Sequence, residues 1–157
     1  MSQDVTISTA NSSIFCLGTR QSIGAKMLTI SGDDVLLFNI RLSGASGAGI
    51  VVSGQRCRII DCLIQTNGGI GISLAAGDYH LIQGCTIYDN GDDGVAIADG
   101  VIAWLLHNRI QANDAWGVDD DNVGDNVIYI ANNVTSNTSG QLSTNATSAY
   151  KIANRIT

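Results

Sequence analysis

Four stretches decide the fold once they are written under one another: NIRLSGASGAGIVVSG (39–54), DCLIQTNGGIGISLAAG (61–77), GCTIYDNGDDGVAIADG (84–100) and HNRIQANDAWGVDDDNVG (107–124). A less regular fifth copy, ANNVTSNTSGQLST, follows at 131–144. An aliphatic anchor recurs at Leu42, Ile64, Ile87, Ile110 and Val134, in steps of 22, 23, 23 and 24 residues. Three residues after it stand Ala45, Asn67, Asn90, Asn113 and Asn137. Seven after it stand Gly49, Gly71, Gly94 and Gly117, each followed by Ile or Val, and a further glycine closes each copy at Gly54, Gly77, Gly100 and Gly124. Separate columns that agree on one period are the signature of a repeat architecture.

Each copy holds short apolar alternations broken by Asn and Gly, with no stretch long enough for an ordinary helix. Composition agrees: the chain has 18 Gly, no Pro and no Glu, so all 14 acidic residues are Asp, and only 14% of residues are charged. The usual solvent-facing helix formers are scarce, while turn and strand formers abound. The expectation is an all-β parallel solenoid of about six coils of 22–24 residues, in which each coil buries its apolar face only against its neighbours.

In such a stack the Asn column (Asn67, Asn90, Asn113, Asn137) is expected at a corner. Asn tolerates left-handed backbone angles, and its amides can bond from coil to coil. The glycine seven residues after the anchor supplies either an unusual backbone angle or a close approach. Residues 26–135 form the regular coils, 1–25 a degenerate first coil or cap, and 136–157 an irregular last coil; in IFCLGTRQSIGAKMLTISG (14–32), Ile30 and Gly32 match the later Val52 and Gly54. Asn154-Arg155-Ile156 repeats Asn108-Arg109-Ile110.

The coil length, the motif Cys62-Leu63-Ile64, Cys85-Thr86-Ile87 and Asn108-Arg109-Ile110, and the Asn column resemble the right-handed parallel β-helix of the pectin-lyase-like superfamily. That resemblance implies a fold and leaves function open. The superfamily includes polysaccharide lyases, glycoside hydrolases, epimerases, phage tail spikes and non-catalytic virion proteins.

The chemistry-bearing residues concentrate between Asp89 and Asp125, where Arg109 is the single basic residue. Asp93 and Asp119 fall on adjacent coils and are the candidate carboxyl pair for glycoside cleavage, which needs two acids across a sugar ring. Trp116 is the candidate stacking platform, expected to be exposed. Asp119, Asp120 and Asp121 are the candidate calcium ligands, because oxygen donors on neighbouring strands can converge on that cation. Against these stands the ordinary use of turn aspartates, which bond local backbone N–H groups. Asp120 departs from its column, since the matching residues Val52, Leu74 and Ile97 are aliphatic and inward-pointing.

Other residues read more plainly. Cys16, Cys57, Cys62 and Cys85 show no metal-type pairing and are expected to be reduced and buried, although Cys62 and Cys85 share one column. His80 and His107 are expected at the surface. Trp104 aligns with Leu36, Leu81, Ile128 and Tyr150 and is expected in a core or an interface.

A net charge of −6 without a basic run argues against nucleic-acid binding. No long apolar run and no basic, apolar leader are visible, so a soluble protein without membrane span or export signal is expected. By resemblance, the leading expectation is a non-catalytic structural protein of a phage virion, a capsid decoration, cement or spike-type protein. It would assemble as a homotrimer or on a capsid or tail protein, with no cofactor unless calcium. The alternative is a carbohydrate-active β-helix, a polysaccharide lyase or glycoside hydrolase, or a glycan-binding module using the Asp92–Asp121 acidic surface.

Overall fold

In a computed structural model the chain is a parallel β-helix, described at residues 4–17, 21–22, 26–123, 127–144 and 150–157. Gly124 and Asp125 lie outside the described residues. Every third strand joins the same sheet, giving three seven-stranded parallel sheets that bracket about six turns. The first sheet runs from Val5–Ile7 to Gly140–Thr144, the second from Ser13–Phe15 to Tyr150–Ile152 and the third from Gln21–Ser22 to Arg155–Ile156. The segment before residue 26 is a coil in register with the next, Val5 pairing with Leu28 and Ser13 with Leu36.

The repeat columns are physical stacks. Leu42, Ile64, Ile87, Ile110 and Val134 pair in succession along the third sheet, and all are buried. Because the register is in phase, like residues lie on like, and a single continuous aliphatic core runs along the axis.

Two corners are closed by amide ladders. Between the third and first sheets, Asn67 Nδ2 donates to Asn90 Oδ1 (2.9 Å), Asn90 to Asn113 (2.9 Å) and Asn113 to Asn137 (2.8 Å), and Gln141 Oε1 ends the row (2.8 Å). The backbone N–H of Asn90 and of Asn113 donates to the Oδ1 above it too, so one oxygen satisfies two buried donors. The expected left-handed angle is not at the asparagines. It belongs to the residue before each one, Thr66, Asp89, Ala112 and Ser136, as to Gly44 before Ala45 in the same column, so the asparagines are held there for their amides.

Gly49, Gly71, Gly94 and Gly117 answer to close approach, with no positive φ among them. A Cβ on Gly94 would stand 2.7 Å from Asn113 Nδ2 and 2.6 Å from the Gly117 carbonyl oxygen, so a side chain there would collide with the ladder.

The second ladder closes the corner between the second and third sheets, two residues before the anchor, and the sequence reading missed it. Asn108 Nδ2 donates to Asn132 Oδ1 and Asn132 Nδ2 to Asn154 Oδ1, both at 3.0 Å. Each amide reaches the second-sheet carbonyl behind it, Asn108 to Ile82 and Asn132 to Leu105. In the earlier coils cysteine takes this place: the Cys85 thiol donates to the Ile59 carbonyl (3.4 Å). Cys62 and Cys85 are thus weak donors in a ladder column. All four cysteines are buried and none is in a disulfide. Burial pushes the Cys85 thiol well above its usual range, which keeps it protonated and inert.

The outer faces differ. On the first sheet the outward column Thr29, Val51, Ser73, Ala96 and Asp119 is small or polar, whereas on the second sheet it is Leu36, Arg58, Leu81, Trp104 and Ile128. Trp104 is half-buried there, facing out and stacked on Tyr79 with ring centroids 6.0 Å apart. No helix among the described residues is long and apolar enough to cross a membrane.

Candidate functional site

The acidic region falls on the first sheet and the corners on either side of it, with Asp99 and Asp121 past its strand ends. Asp93 sits just before the strand Val95–Ile97, with 8% of its surface exposed, and its Oδ1 accepts the backbone N–H of Trp116 in the next coil at 2.8 Å. Burial pushes its pKa up and the Trp116 N–H pulls it down, while the charges of Asp92, Asp119 and Asp121 add to the rise. It is a shielded carboxyl group among other acids.

The last three residues of the strand Trp116–Asp120 alternate, Val118 inward, Asp119 outward and Asp120 inward. Asp119 faces outward and is half-buried, Asp120 faces the core with no exposed surface, and Asp121 is exposed beyond the strand end. The three proposed calcium ligands are therefore on opposite sides of one wall and are not brought together. Among the described residues no three His, Cys, Asp or Glu side chains are grouped to hold a metal ion.

Trp116 departs from the exposed platform expected of it. It is half-buried, pairs in register with Gly140, and its ring occupies the space a Gly140 side chain would need. Arg109 faces outward from the third sheet, where its Nε donates to Gln111 Oε1 (2.9 Å), away from Asp93 and Asp119.

Asp120 is resolved by its partners. Tyr129 donates its hydroxyl to Asp120 Oδ2 at 2.7 Å, and Asn122 donates both its backbone N–H (3.1 Å) and its Nδ2 (2.8 Å) to Oδ1. Tyr129 occupies the inward second-sheet column, above Leu105 and Ile82. Burial first, and the bond to Asp120 second, push its pKa far above the usual phenol range, so it stays a donor. Two departures from the repeat, a carboxylate and a phenol in aliphatic columns of one coil, are two halves of one buried pair. That coincidence was the available signal.

His107 is exposed, at a left-handed corner position with φ 56°. His80 is not at the surface: it is 1% exposed and points inward between Cys57 and Ala103. Its Nε2 lies 3.0 Å from the Ala76 carbonyl oxygen, which can only accept, so Nε2 carries the proton; Nδ1 has no partner among the described residues. Burial lowers its pKa, keeping the ring neutral.

Several acids share one use. Asp4 accepts the N–H of Met27, Asp33 that of Gln55, Asp93 that of Trp116 and Asp99 that of Val123, each bond bracing one coil against the next. The arrangement around residues 92–121 thus offers one outward carboxylate, Asp119, beside a braced and shielded one, Asp93.

A family model described as right handed beta helix region matches residues 4–156. No curated protein matches the chain in sequence. Among solved structures, the chain is similar to the periplasmic alginate epimerase AlgG, with a TM-score of 0.71 and 17% identity over 95% of this chain and 38% of that one. A double mutant of the same epimerase superposes equally well, covering 93% of this chain and 39% of that one. Pectate lyase Pel9A is similar with a TM-score of 0.55 and 15% identity, over 90% of this chain and 52% of that one. The chain spans about two fifths of the epimerase chain and about half of the lyase chain.

Proposed function

The chain belongs to the right-handed β-helix family, and from that premise we propose that it is a non-catalytic structural β-helix, a rigid building block of a larger assembly. The observation that carries this is the use of its acids. Asp93 and Asp99 bond to backbone N–H groups of the following coil, and Asp120 is closed inside the core by Tyr129 and Asn122. A glycosidase needs one carboxyl group to protonate the leaving oxygen and another to act on the sugar. Asp93 has one oxygen committed to Trp116 and is nearly shielded, which suits bracing better than proton delivery. The narrower placement, a phage capsid decoration, cement or spike-type protein, draws its support from the resemblance of the repeat to short virion β-helices.

A second reading has one observation in its favour. Burial raises the pKa of Asp93, and the outward, half-buried Asp119 stands near it, two carboxyl groups of the kind that carbohydrate-active sites bring together. The epimerase and the lyase that share the fold are named for alginate and pectate, so those polymers are the substrates to offer first.

One assay separates the readings. The protein is incubated with alginate, pectate and a panel of neutral glycans, and product is followed by reducing ends, by unsaturated-uronate absorbance and by uronate epimer ratio. The structural reading expects no turnover above a heat-denatured blank. Turnover that disappears in Asp93→Asn or Asp119→Asn, with the thermal transition retained, would establish the enzyme instead.

A further inference from the structure

The outer face of the second sheet does not suit a surface that only meets water. At its described outward positions stand Leu, Ile, Phe and Trp side chains, with Ser13 and Gln83 the neutral polar ones, Arg58 the one charge and no carboxylate, in a chain whose net charge is −6. Its edge adds Phe15, 57% exposed and packed against Phe38, and Tyr79, 51% exposed and stacked on Trp104. Large contiguous apolar patches on a soluble fold mark contact surfaces. Strands about 4.8 Å apart make the seven-stranded face roughly 30 Å long, and with its flanks roughly 20 Å wide it offers on the order of 600 Å² per copy, the lower edge of a specific protein interface.

We propose that this face is the interface of a homodimer, two copies packing second sheet on second sheet about a two-fold axis that lies along the strand His80–Gln83. The column itself selects this symmetry. In chain order it reads Leu36, Arg58, Leu81, Trp104, Ile128. A two-fold along the central strand reverses the order of coils in the second copy, so Leu81 meets Leu81, Leu36 meets Ile128, and each Arg58 guanidinium lies over the Trp104 indole of the other copy. A cation over an indole face is an attractive pairing, strongest where water is excluded.

A three-fold axis along the solenoid, the geometry of the homotrimer expected from the sequence, would bring Arg58 of each copy to the same height as the others. Like charges would then converge in an apolar seam. Asp92, Asp93 and Asp119 sit on the first sheet and its approach, and the outward strand positions of the second sheet carry no carboxylate, so copies meeting here set no strand carboxylates directly against one another. This inference does not depend on whether the acidic region acts on a glycan.

The test is the mass of the full chain in solution by sedimentation and light scattering across a concentration series. The expected result is a reversible shift from one chain mass, 16.4 kDa, to twice that mass. Leu81→Glu, which sets two carboxylates on the axis, and Trp104→Arg, which sets Arg against Arg58, should each weaken the dimer by at least about tenfold. The exchange Arg58→Trp with Trp104→Arg should restore it, because only the two-fold pairs these positions. Both sites face outward, and an unchanged thermal transition in dilute solution checks that each variant folds. A single-chain mass up to about 100 µM, a trimer mass, or a dimer indifferent to Leu81→Glu overturns the proposal. So does a bound oligosaccharide that shifts tryptophan fluorescence at this face while the mass stays that of one chain.

Discussion

Ile97 and Asp120 are stacked partners in the first sheet, both inward and both shielded from solvent, yet one continues a dry aliphatic column and the other opens a polar layer. Below them Ile30, Val52 and Leu74 repeat the aliphatic choice. The same backbone position accepts either chemistry provided its layer agrees: Asp120 is tolerated because Tyr129 and Asn122 converge on its two oxygens. In a solenoid the unit of compatibility is the coil, since side chains of one coil meet across the core while the columns only stack them.

The comparison breaks most severely if the carboxylate is moved one coil down. Ile97→Asp places an acid in a coil where Leu105 stands at the position that Tyr129 takes one coil on. Such a substitution is expected to cost more than about 4 kcal/mol, enough to abolish a cooperative transition in urea followed by circular dichroism. A stable, native-like Ile97→Asp would mean that the core is wet throughout.

Next in size is the removal of one member of the polar layer. Asp120→Ala strands the Tyr129 hydroxyl and the Asn122 amide in a buried site, and a loss of about 2–4 kcal/mol is expected from urea melts. The paired replacement Asp120→Leu with Tyr129→Phe restores the aliphatic chemistry of the coils below. It should recover most of that loss, ending within about 1–2 kcal/mol of the parent, since exchanging a whole buried polar set for well-packed apolar groups is often near neutral. If the pair is no better than Asp120→Ala, then the layer is fixed by shape and not by matched polarity.

The same coil-by-coil logic explains what the sequence disclosed. Parallel, in-phase stacking turns a spacing of 22–24 residues directly into contact, so the anchor, ladder and glycine columns were all legible before any coordinates. The left-handed corner angle was assigned one residue late because Asn is the residue type known for it, while the chain places Ala112 or Thr66 there without any mark in their identity. His80 was judged by type as a surface residue although its column, Val35, Cys57, Ala103 and Val127, is inward and apolar, and the column was right. Asp120 was visible as a departure, but its partner lies nine residues on and in another sheet. Only the cross-section of the coil brings them together. For the candidate site, strand alternation alone already separates Asp120 from Asp119 and Asp121.

The smallest effects are those of pH, and they set the neutral core histidine against the shielded acid. Burial depresses the His80 pKa below 6.5, so the unfolded chain takes up its proton first as the solution is acidified. The stability owed to the neutral ring is present above the unfolded value and is lost as pH falls through the folded one. Asp93 has the opposite sign. Its pKa is raised above 3.8, so its contribution is full below that value and is lost as pH rises through the folded pKa, leaving a small cost at neutrality. Asp93→Asn keeps an oxygen for the Trp116 N–H and removes the ionisation. It should therefore melt slightly higher than the parent at pH 7, with the gain vanishing near pH 3.8. His80→Gln, whatever its cost in packing, should flatten the melting-temperature profile just below pH 6.5. A parent whose melting temperature is level from pH 7 to 5, and identical to that of His80→Gln in its slope, would show that the ring protonates without opening the coil.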